Sequence, residues 1–208
     1  MLLTLIPSSE TRKLLYVILI WLLFASGMQT VVAEEKNIWD RLQGSNPKGY
    51  VLLMRHALAP GIGDPENFQI NDCSTQRNLS AEGRSQAAEI GQWLKETKIK
   101  ILRVESSRWC RAKETARLLE VGQVRLNKNL DSLFKESDIA HHPQTLQIRR
   151  AIVAHRDKRG LLVMVGHYVN ITALTGSGVE SGAGVIVKAD KSGRIKVLGE
   201  TPVFKISR

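Results

Sequence analysis

Three short, mostly apolar runs constrain the fold of this chain more than any other feature of its sequence. They occupy residues 51–54, 101–104 and 161–165, and segments with helical periodicity separate them. Such runs, alternating with helices, are typical of parallel strands buried in an α/β sheet. The length of 208 residues is enough for one substantial core but not comfortably for two. We therefore predict a single α/β domain with a mainly parallel sheet that is flanked by helices on both faces.

The segments between and after these runs carry recognisable helix and hairpin signals. Ser80 is a good N-cap for the helix that follows the first run. We expect a second helix from Arg108 to about Leu119 and a third after Pro143. The runs at 185–187 and 195–198 predict a closing hairpin.

Each of the three runs ends near side chains that can bind or attack a phosphate. Arg55 and His56 follow the first run directly, and His167 lies two residues beyond the third. Arg111 follows the second run and would fall in the first turn of a helix, where free backbone N–H groups also attract anions. Ligands of parallel α/β sheets bind beyond the carboxyl ends of the strands, so these four residues are expected to meet there.

This set of residue types suits phosphoryl transfer. A neutral imidazole such as His56 is a competent nucleophile toward phosphorus. Arginine forks, here Arg55 and Arg111, can bind two phosphoryl oxygens at once and neutralise their charge. His167 could donate a hydrogen bond to a further oxygen, and an acid would be needed to protonate the leaving oxygen.

Several separated motifs occur in a characteristic order along the chain. They are Arg55-His56, the segment SSRWCRAKETA at 106–116 and Gly166-His167, with NLSAEGRSQA at 78–87 between the first two. In this order they resemble the motifs of the histidine phosphatase superfamily, which includes phosphoglycerate mutases and acid phosphatases. The resemblance covers about residues 50–174 and implies a phosphoglycerate mutase-like fold.

The resemblance also implies a role for each matched residue. His56 corresponds to the histidine that is phosphorylated, Arg55 and Arg111 to the arginines that bind phosphate, and His167 to the histidine that completes the pocket. The expected activity is hydrolysis of a phosphomonoester through a phosphohistidine intermediate on His56, with no metal and no cofactor.

The proton donor is assigned on the same resemblance. Members of this part of the family often carry an acidic residue shortly after a further strand end that contains leucine. In this chain the corresponding segment is LDSLF at 130–134, and its acidic residue is Asp131. We predict Asp131 as the general acid, with Glu136 and Asp138 as alternatives.

Two positions depart from the family pattern. Ala57 stands where glycine is usual, which would place a Cβ where the phosphate approaches. Arg108 replaces the usual proline and adds a cation, and we predict that it and Ser107 contribute to substrate binding. The alternative function is a weakly active or inactive module that holds a phosphorylated component of the cell envelope.

The amino-terminal segment has the features of a secretory signal peptide. Arg12 and Lys13 precede the apolar residues 14–25, and Val-Val-Ala at 31–33 offers a cleavage site. Residues 1–33 are therefore predicted to be a signal peptide, with an uncleaved membrane anchor as the alternative. Either reading places the folded domain outside the cytoplasm, in the periplasm or secreted.

The remaining domain, residues 34–208, is strongly basic. The chain has a net charge of +10, and segment 1–33 contributes two cations and one carboxylate, so the domain keeps +9. This excess favours anionic partners such as a phosphorylated small molecule or a cell-envelope component. The sequence contains no basic stripe interleaved with aromatic residues and no nucleic-acid module, so no nucleic-acid partner is expected. The oligomeric state stays open.

Cys73 and Cys110 are the only two cysteines of the chain. An oxidising compartment outside the cytoplasm would allow them to pair, so we predict a disulfide. One buried and one free thiol is the alternative. The remaining histidines, His141, His142 and His155, are predicted to be structural.

Overall fold

The computed structural model describes residues 37–44 and 47–204, which include most of the predicted domain. Across these residues no helix has both the length and the hydropathy that crossing a bilayer requires. The predicted signal peptide, residues 1–33, lies outside the described residues.

A twisted sheet of six strands forms the centre of the described chain. The strands are β1 (Tyr50–Arg55), β2 (Ile101–Ser106), β3 (Val124–Leu126), β4 (Leu161–Gly166), β5 (Gly184–Ala189) and β6 (Ile195–Glu200). They lie in the order β3-β2-β4-β1-β5-β6. The first four strands in this order pair in parallel, whereas β5 runs antiparallel to β1 and β6 antiparallel to β5. The sheet is therefore mainly parallel, as predicted, and the closing hairpin is β5–β6.

Helices cover both faces of this sheet, which confirms the predicted α/β architecture. Alternate residues of β1 show the two faces: Leu52 and Met54 pack into one apolar cluster, and Val51 and Leu53 into another. The first cluster also contains residues of α1 (Ile38–Leu42), α2 (Ala81–Glu96) and α3 (Cys110–Leu118). The second contains residues of α4 (Pro143–His155) and α5 (Tyr168–Thr175).

The central strands are buried because helices lie above and below them. All six residues of β4 are buried, which explains why its sequence is continuously apolar and does not alternate. Parallel pairing of β4 with both β1 and β2 brings their carboxyl ends to the same edge of the sheet. The residues that follow these three strands therefore start from neighbouring positions.

Two local features differ from the sequence expectations. Helix α3 begins at Cys110 and not at Arg108, because the backbone N–H of Arg108 donates to the carboxylate of Asp131 and leaves the helical path. Strand β3 was not predicted: its three residues lie at the edge of the sheet, and two of them are exposed. A run this short and this exposed lacks an apolar pattern that could identify it.

Candidate active site

The four residues predicted to meet do line one cavity at the carboxyl end of the parallel strands. Arg55 is the last residue of β1, His56 follows it, Arg111 lies in the first turn of α3, and His167 is the N-cap of α5. All four contribute to a cavity of about 310 Å³. The rings of His56 and His167 lie with their centroids 5.5 Å apart. This volume is near the lower end of the range for small-molecule sites.

The ring of His56 is oriented by two contacts that give its nitrogens different roles. Nδ1 lies 2.8 Å from the carbonyl oxygen of Ala57, to which it donates, and Nε2 accepts from Nε of Arg111 at 3.3 Å. Burial, together with the charges of Arg111 and Arg55, lowers the pKa of His56 to about 3. The imidazole is therefore neutral at neutral pH, with a lone pair on Nε2.

Arg111 is buried and uses its whole guanidinium. Besides the contact of its Nε with His56, its Nη1 and Nη2 donate to the two carboxylate oxygens of Asp64 at 2.7 and 3.1 Å. Nη1 also reaches the carbonyl oxygen of Arg77 at 3.3 Å. The fork is thus formed and oriented before any anion binds, and a carboxylate occupies it.

Arg55 directly precedes His56 in the chain, and one N–H group of its guanidinium is unpaired among the described residues. Its Nη1 donates to the carbonyl oxygen of Val179 at 3.1 Å, and its guanidinium carbon lies 5.5 Å from the ring centroid of Tyr168. Its Nε is buried and has no hydrogen-bond partner among the described residues. A bound anion would satisfy such a donor.

His167 is held by a chain of hydrogen bonds behind the cavity. Its Nε2 lies 2.9 Å from Oγ of Ser107, and the Ser107 hydroxyl donates to Oδ1 of Asp131 at 3.3 Å. This order makes Nε2 the donor to Ser107 and leaves Nδ1 without a hydrogen in the neutral ring. Burial holds the pKa of His167 well below its ordinary value, and the charge of the neighbouring residues His56 and Arg111 lowers it further.

The placement of Asp131 does not fit the predicted role of proton donor. The carboxylate is buried and does not line the cavity, and it accepts from the backbone N–H, Nε and Nη2 of Arg108 as well as from Ser107. The two alternative acids, Glu136 and Asp138, are exposed and also lie off the cavity wall. The structure therefore corrects the acid assignment, because none of these three carboxylates faces the cavity in which the leaving oxygen would lie.

Arg108 and Ser107, predicted to bind substrate, lie behind the wall of the cavity. The Arg108 side chain is 46% exposed and pairs with Asp131 at 2.6 Å. Ser107 is fully buried and contacts His167 and Asp131. Their observed contacts orient His167 and do not reach the space where a substrate would lie.

The long loop at residues 58–77 supplies two groups that the sequence analysis missed, Asp64 and Arg77. Both line the cavity. Arg77 donates from Nε to the carbonyl oxygen of Gly63 at 2.7 Å and from Nη1 to that of Ala59. The length of the loop indicated a functional segment, but its irregular backbone gives no period from which inward-facing residues could be chosen.

A disulfide fixes the end of this loop to the helix that carries Arg111. Cys73 and Cys110 are bonded, with their Cα atoms 5.7 Å apart, as predicted from the sequence. The backbone N–H of Cys110 also donates to Oε1 of Gln76 at 2.9 Å. The disulfide and this cap therefore join the loop to the helix, in addition to the pair between Asp64 and Arg111.

The position of Ala57 removes the expected obstruction of the cavity. Ala57 is fully buried in a small apolar cluster with Ala59, Leu79 and Ala87, and it does not line the cavity. Its backbone N–H donates to Oγ1 of Thr115 at 3.0 Å. The expectation that a Cβ here would lie against the phosphate was wrong, because the residue belongs to the packing beneath the loop.

The other histidines make local structural contacts. Nε2 of His155 lies 3.0 Å from the carbonyl oxygen of Gly160, His142 caps α4 through Gln144, and His141 pairs with Asp138 at 3.0 Å. Within residues 37–44 and 47–204, no group of three or more His, Cys, Asp or Glu side chains is arranged to hold a metal ion.

Comparisons with known proteins bear on the family and the fold of this chain. The sequence matches the family described as "Histidine phosphatase superfamily (branch 1)" over residues 51–147. Among curated protein sequences, no match was found.

Solved structures show the same fold at low sequence identity. The protein histidine phosphatase SixA, solved with tungstate, is 18% identical, with a TM-score of 0.53 over 73% of this chain and 95% of its own. The mycobacterial glucosyl-3-phosphoglycerate phosphatase Rv2419c, solved with VO3, is 18% identical, with a TM-score of 0.52 over 73% of this chain and 97% of its own. A phosphoserine phosphatase from Entamoeba histolytica is 13% identical, with a TM-score of 0.52 over 74% and 97%.

Proposed function

Because the chain belongs to the histidine phosphatase superfamily, we propose that it hydrolyses a phosphomonoester through a phosphohistidine intermediate on His56. One observation carries the proposal. A buried, neutral imidazole presents Nε2 to a preformed arginine fork, at the carboxyl ends of parallel strands. Neutrality gives the nucleophile its lone pair, and the arginines supply the charge that a phosphoryl group requires.

In the first step, Nε2 of His56 attacks phosphorus, and the bond to the ester oxygen breaks. Arg111 and Arg55 bind the phosphoryl oxygens and neutralise the charge spread over them in the transition state. The hydrogen bond from Nδ1 to the carbonyl oxygen of Ala57 stabilises the positive charge that develops on the ring. The leaving oxygen takes a proton and departs as the alcohol.

His167 contributes on the other side of the phosphoryl group. A dianion in the cavity favours the protonated imidazole, so substrate binding raises the pKa that burial lowers in the free protein. Nδ1 then becomes a donor to a phosphoryl oxygen, while Nε2 remains bonded to Ser107. Ser107 is itself held by Asp131, to which its hydroxyl donates, and by the backbone N–H of Trp109, and these bonds keep the ring in place.

In the second step, a water molecule attacks phosphorus and the N–P bond breaks. The electron pair returns to Nε2 of His56, inorganic phosphate forms, and the enzyme regains its starting state. The low basicity that burial gives this nitrogen makes it a good leaving group toward water.

The alternative of an inactive phosphate-binding module now has less support. Ala57 and the lack of an assigned acid favour this alternative, but Ala57 packs away from the cavity. The intact set of His56, Arg111, Arg55 and His167 favours catalysis.

Export is part of the proposal. The predicted signal peptide at residues 1–33 and the disulfide between Cys73 and Cys110 both suit an oxidising compartment such as the periplasm. The substrate would then be a phosphorylated small molecule or cell-envelope component outside the cytoplasm, where the positive net charge attracts it.

The test is hydrolysis of 4-nitrophenyl phosphate by the purified protein, with His56→Ala as the variant. His141→Ala is the matched control, because His141 is exposed and does not line the cavity. We expect wild type and His141→Ala to release phosphate, in buffer with and without a chelator, and His56→Ala to lose turnover by several orders of magnitude. Turnover by His56→Ala close to that of wild type would refute the assignment.

A further inference from the structure

The wall of the cavity carries a carboxyl group for which the reaction described so far has no use. Among the described residues, Asp64 is the only acidic side chain on that wall. Its Oδ1 accepts from Nη1 of Arg111 at 2.7 Å and from the backbone N–H of Arg77 at 3.2 Å. Its Oδ2 accepts from Nη2 of Arg111 at 3.1 Å and from Nε1 of Trp109 at 3.0 Å.

This carboxyl group and the nucleophile are joined through a single guanidinium. Nε of Arg111 contacts Nε2 of His56 at 3.3 Å, while the two Nη atoms hold Asp64. A carboxylate and a phosphate use the same bidentate geometry on arginine. A phosphoryl group that bonds His56 and takes over part of this fork must therefore place one of its oxygens next to Asp64.

We propose that Asp64 protonates the leaving oxygen and then accepts a proton from the attacking water; this inference rests on the proposed function. As Nε2 of His56 bonds phosphorus, the P–O bond breaks, its electron pair stays on the ester oxygen, and the proton of the Asp64 carboxyl group goes to that oxygen. In the second step, water gives a proton to the Asp64 carboxylate as its oxygen bonds phosphorus and the N–P bond breaks. Protons and charges balance over the cycle.

The electrostatics of the free protein explain how one residue can serve both purposes. Burial raises the pKa of Asp64, but the hydrogen bond and charge of Arg111, with the N–H groups of Trp109 and Arg77, outweigh it and hold the pKa below its ordinary value. A phosphoryl dianion that engages Arg111 removes that support and adds negative charge next to the carboxyl group. Both changes raise the pKa of Asp64, so the substrate itself prepares the acid.

The leaving group decides whether Asp64 acts as an acid or only orients Arg111. An alkyl alcohol needs a proton as it leaves, whereas 4-nitrophenolate leaves without one. The variant is Asp64→Asn, which keeps a hydrogen-bond acceptor for Arg111, and the matched control is Glu66→Gln, an exposed acid two residues along the same loop. Ethyl phosphate and 4-nitrophenyl phosphate are the two substrates, and thermal unfolding checks that each variant is folded.

We expect Asp64→Asn to lower kcat/KM for ethyl phosphate by roughly 10²-fold or more and kcat/KM for 4-nitrophenyl phosphate by less than about tenfold. kcat/KM reports formation of the phosphohistidine, so the loss of the base in the second step, which both substrates share, does not enter the comparison. Glu66→Gln is expected to match wild type on both. Equal losses on the two substrates would reduce Asp64 to a positioning residue for Arg111, and no loss on either would remove it from the reaction; both results overturn the inference. A wild-type protein that cleaves neither substrate refutes the proposed function itself.

A separate observation concerns the mouth of the same cavity, which is apolar. Ile62, Phe134 and Tyr168 line it and are 89%, 54% and 45% exposed, although large apolar side chains are usually buried. The three come from the loop at 58–77, from the segment after β3 and from the start of α5, so different parts of the chain converge here. The charged groups of the lining besides Asp64 are Arg55 and Arg111, which are proposed to bind phosphate, and Arg77, which bonds loop carbonyls.

We infer that the alcohol part of the substrate is apolar, because this rim continues from the phosphate site and offers few polar partners to a sugar or an amino acid. The test compares hexyl phosphate with glycerol 1-phosphate. Both are esters of primary alcohols, but the hexyl group is apolar and the glycerol group carries two further hydroxyls. The test rests on the proposed function. We expect a higher kcat/KM for hexyl phosphate, and the double variant Ile62→Ala with Phe134→Ala should reduce that preference roughly tenfold.

Leu126→Ala provides the matched control for this test, since Leu126 is an equally exposed apolar residue on β3. It should leave the preference unchanged. Equal kcat/KM for the two esters in wild type, or an unchanged ratio in the double variant, would overturn the apolar substrate class while leaving the phosphatase assignment intact.

Discussion

The floor and the roof of the cavity are built by different means. The floor consists of Arg55, His56, Arg111 and His167, which sit at strand ends and helix starts whose backbone is bonded within the sheet and helices. The roof is the loop at residues 58–77, where regular structure is limited to the short 3-10 turn Cys73–Thr75. The roof is held by side chains: Arg77 bonds loop carbonyls, Asp64 pairs with Arg111, and Cys73 is bonded to Cys110.

This difference separates the residues that carry out the proposed reaction, in the floor, from the loop that covers them, in the roof. The floor is buried in the core, and its histidines are kept neutral by that burial, so their properties depend on the fold as a whole. The roof has few buried apolar residues, so its position depends on these side-chain contacts. The two parts meet at the ion pair between Asp64 and Arg111, where a ligand would engage both.

Breaking the disulfide is expected to have the largest effect on the roof. The double variant Cys73→Ser with Cys110→Ser removes a cross-link over a sequence separation of 37 residues. The chain-entropy model gives a loss of roughly 3–4 kcal/mol in the free energy of unfolding, less any strain in the native bond. Denaturant unfolding measures this loss, and vanadate inhibition measured in parallel should weaken before the core unfolds.

Ser74→Ala is the control, because Ser74 directly follows Cys73 in the same short turn. It should unfold close to wild type. Peptide mapping without reductant of protein from the exported fraction checks the bond itself. Two free, alkylatable thiols there would contradict the anchoring role given to the bridge.

Removing the arginine at the junction is expected to have the next largest effect. Arg111→Ala deletes a charge-assisted contact worth roughly 1.5–3 kcal/mol, which corresponds to about a tenfold to over a hundredfold rise in the inhibition constant for vanadate or inorganic phosphate. Arg117→Ala, an exposed arginine of the same helix, should leave the constant unchanged. An unaltered vanadate affinity in Arg111→Ala would show that Arg111 does not bind the phosphoryl group.

The neutral histidine of the floor also predicts an effect on stability in acid. The pKa of His56 is about 3 in the folded protein and near 6.5 when the chain is unfolded. Between these values the unfolded chain binds a proton that the folded protein does not, so stability falls as the pH decreases from 6.5 toward 3. The slope for this residue is about 1.4 kcal/mol per pH unit.

Thermal or denaturant unfolding from pH 7 to pH 4 tests this slope, with His56→Gln as the variant and His141→Ala as the control. We expect the stability of His56→Gln to fall less steeply with decreasing pH than that of wild type, and His141→Ala to follow wild type. Parallel curves for wild type and His56→Gln would mean that His56 is not held neutral by burial.

The floor could be predicted from the sequence because it uses regular elements. An apolar run ending in a polar residue fixes where a parallel strand ends, and the strand ends of one sheet share an edge. This reasoning, together with the family resemblance, gave His56, Arg55, Arg111 and His167 as cavity residues.

The roof could not be predicted in the same way. Asp64 lies in irregular backbone between Gly63 and Pro65 and pairs with Arg111, which is 47 positions further along the chain. No local sequence pattern predicts that contact. The family resemblance predicts Asp131 as the acid, but the pair that Asp131 forms with Arg108, 23 positions away in the chain, is also a tertiary contact. Tertiary ion pairs of this kind decide which carboxyl group faces the cavity.

The most direct test of the account is chemical trapping of the intermediate on His56. Wild-type protein mixed with a phosphate-labelled substrate and quenched within milliseconds without acid should carry an N-linked phosphate on the peptide that contains His56, and His56→Ala should carry none. The account predicts a label that is stable in base and lost in acid, and that disappears as inorganic phosphate is released. Label on a different residue, or the same label in His56→Ala, would contradict it.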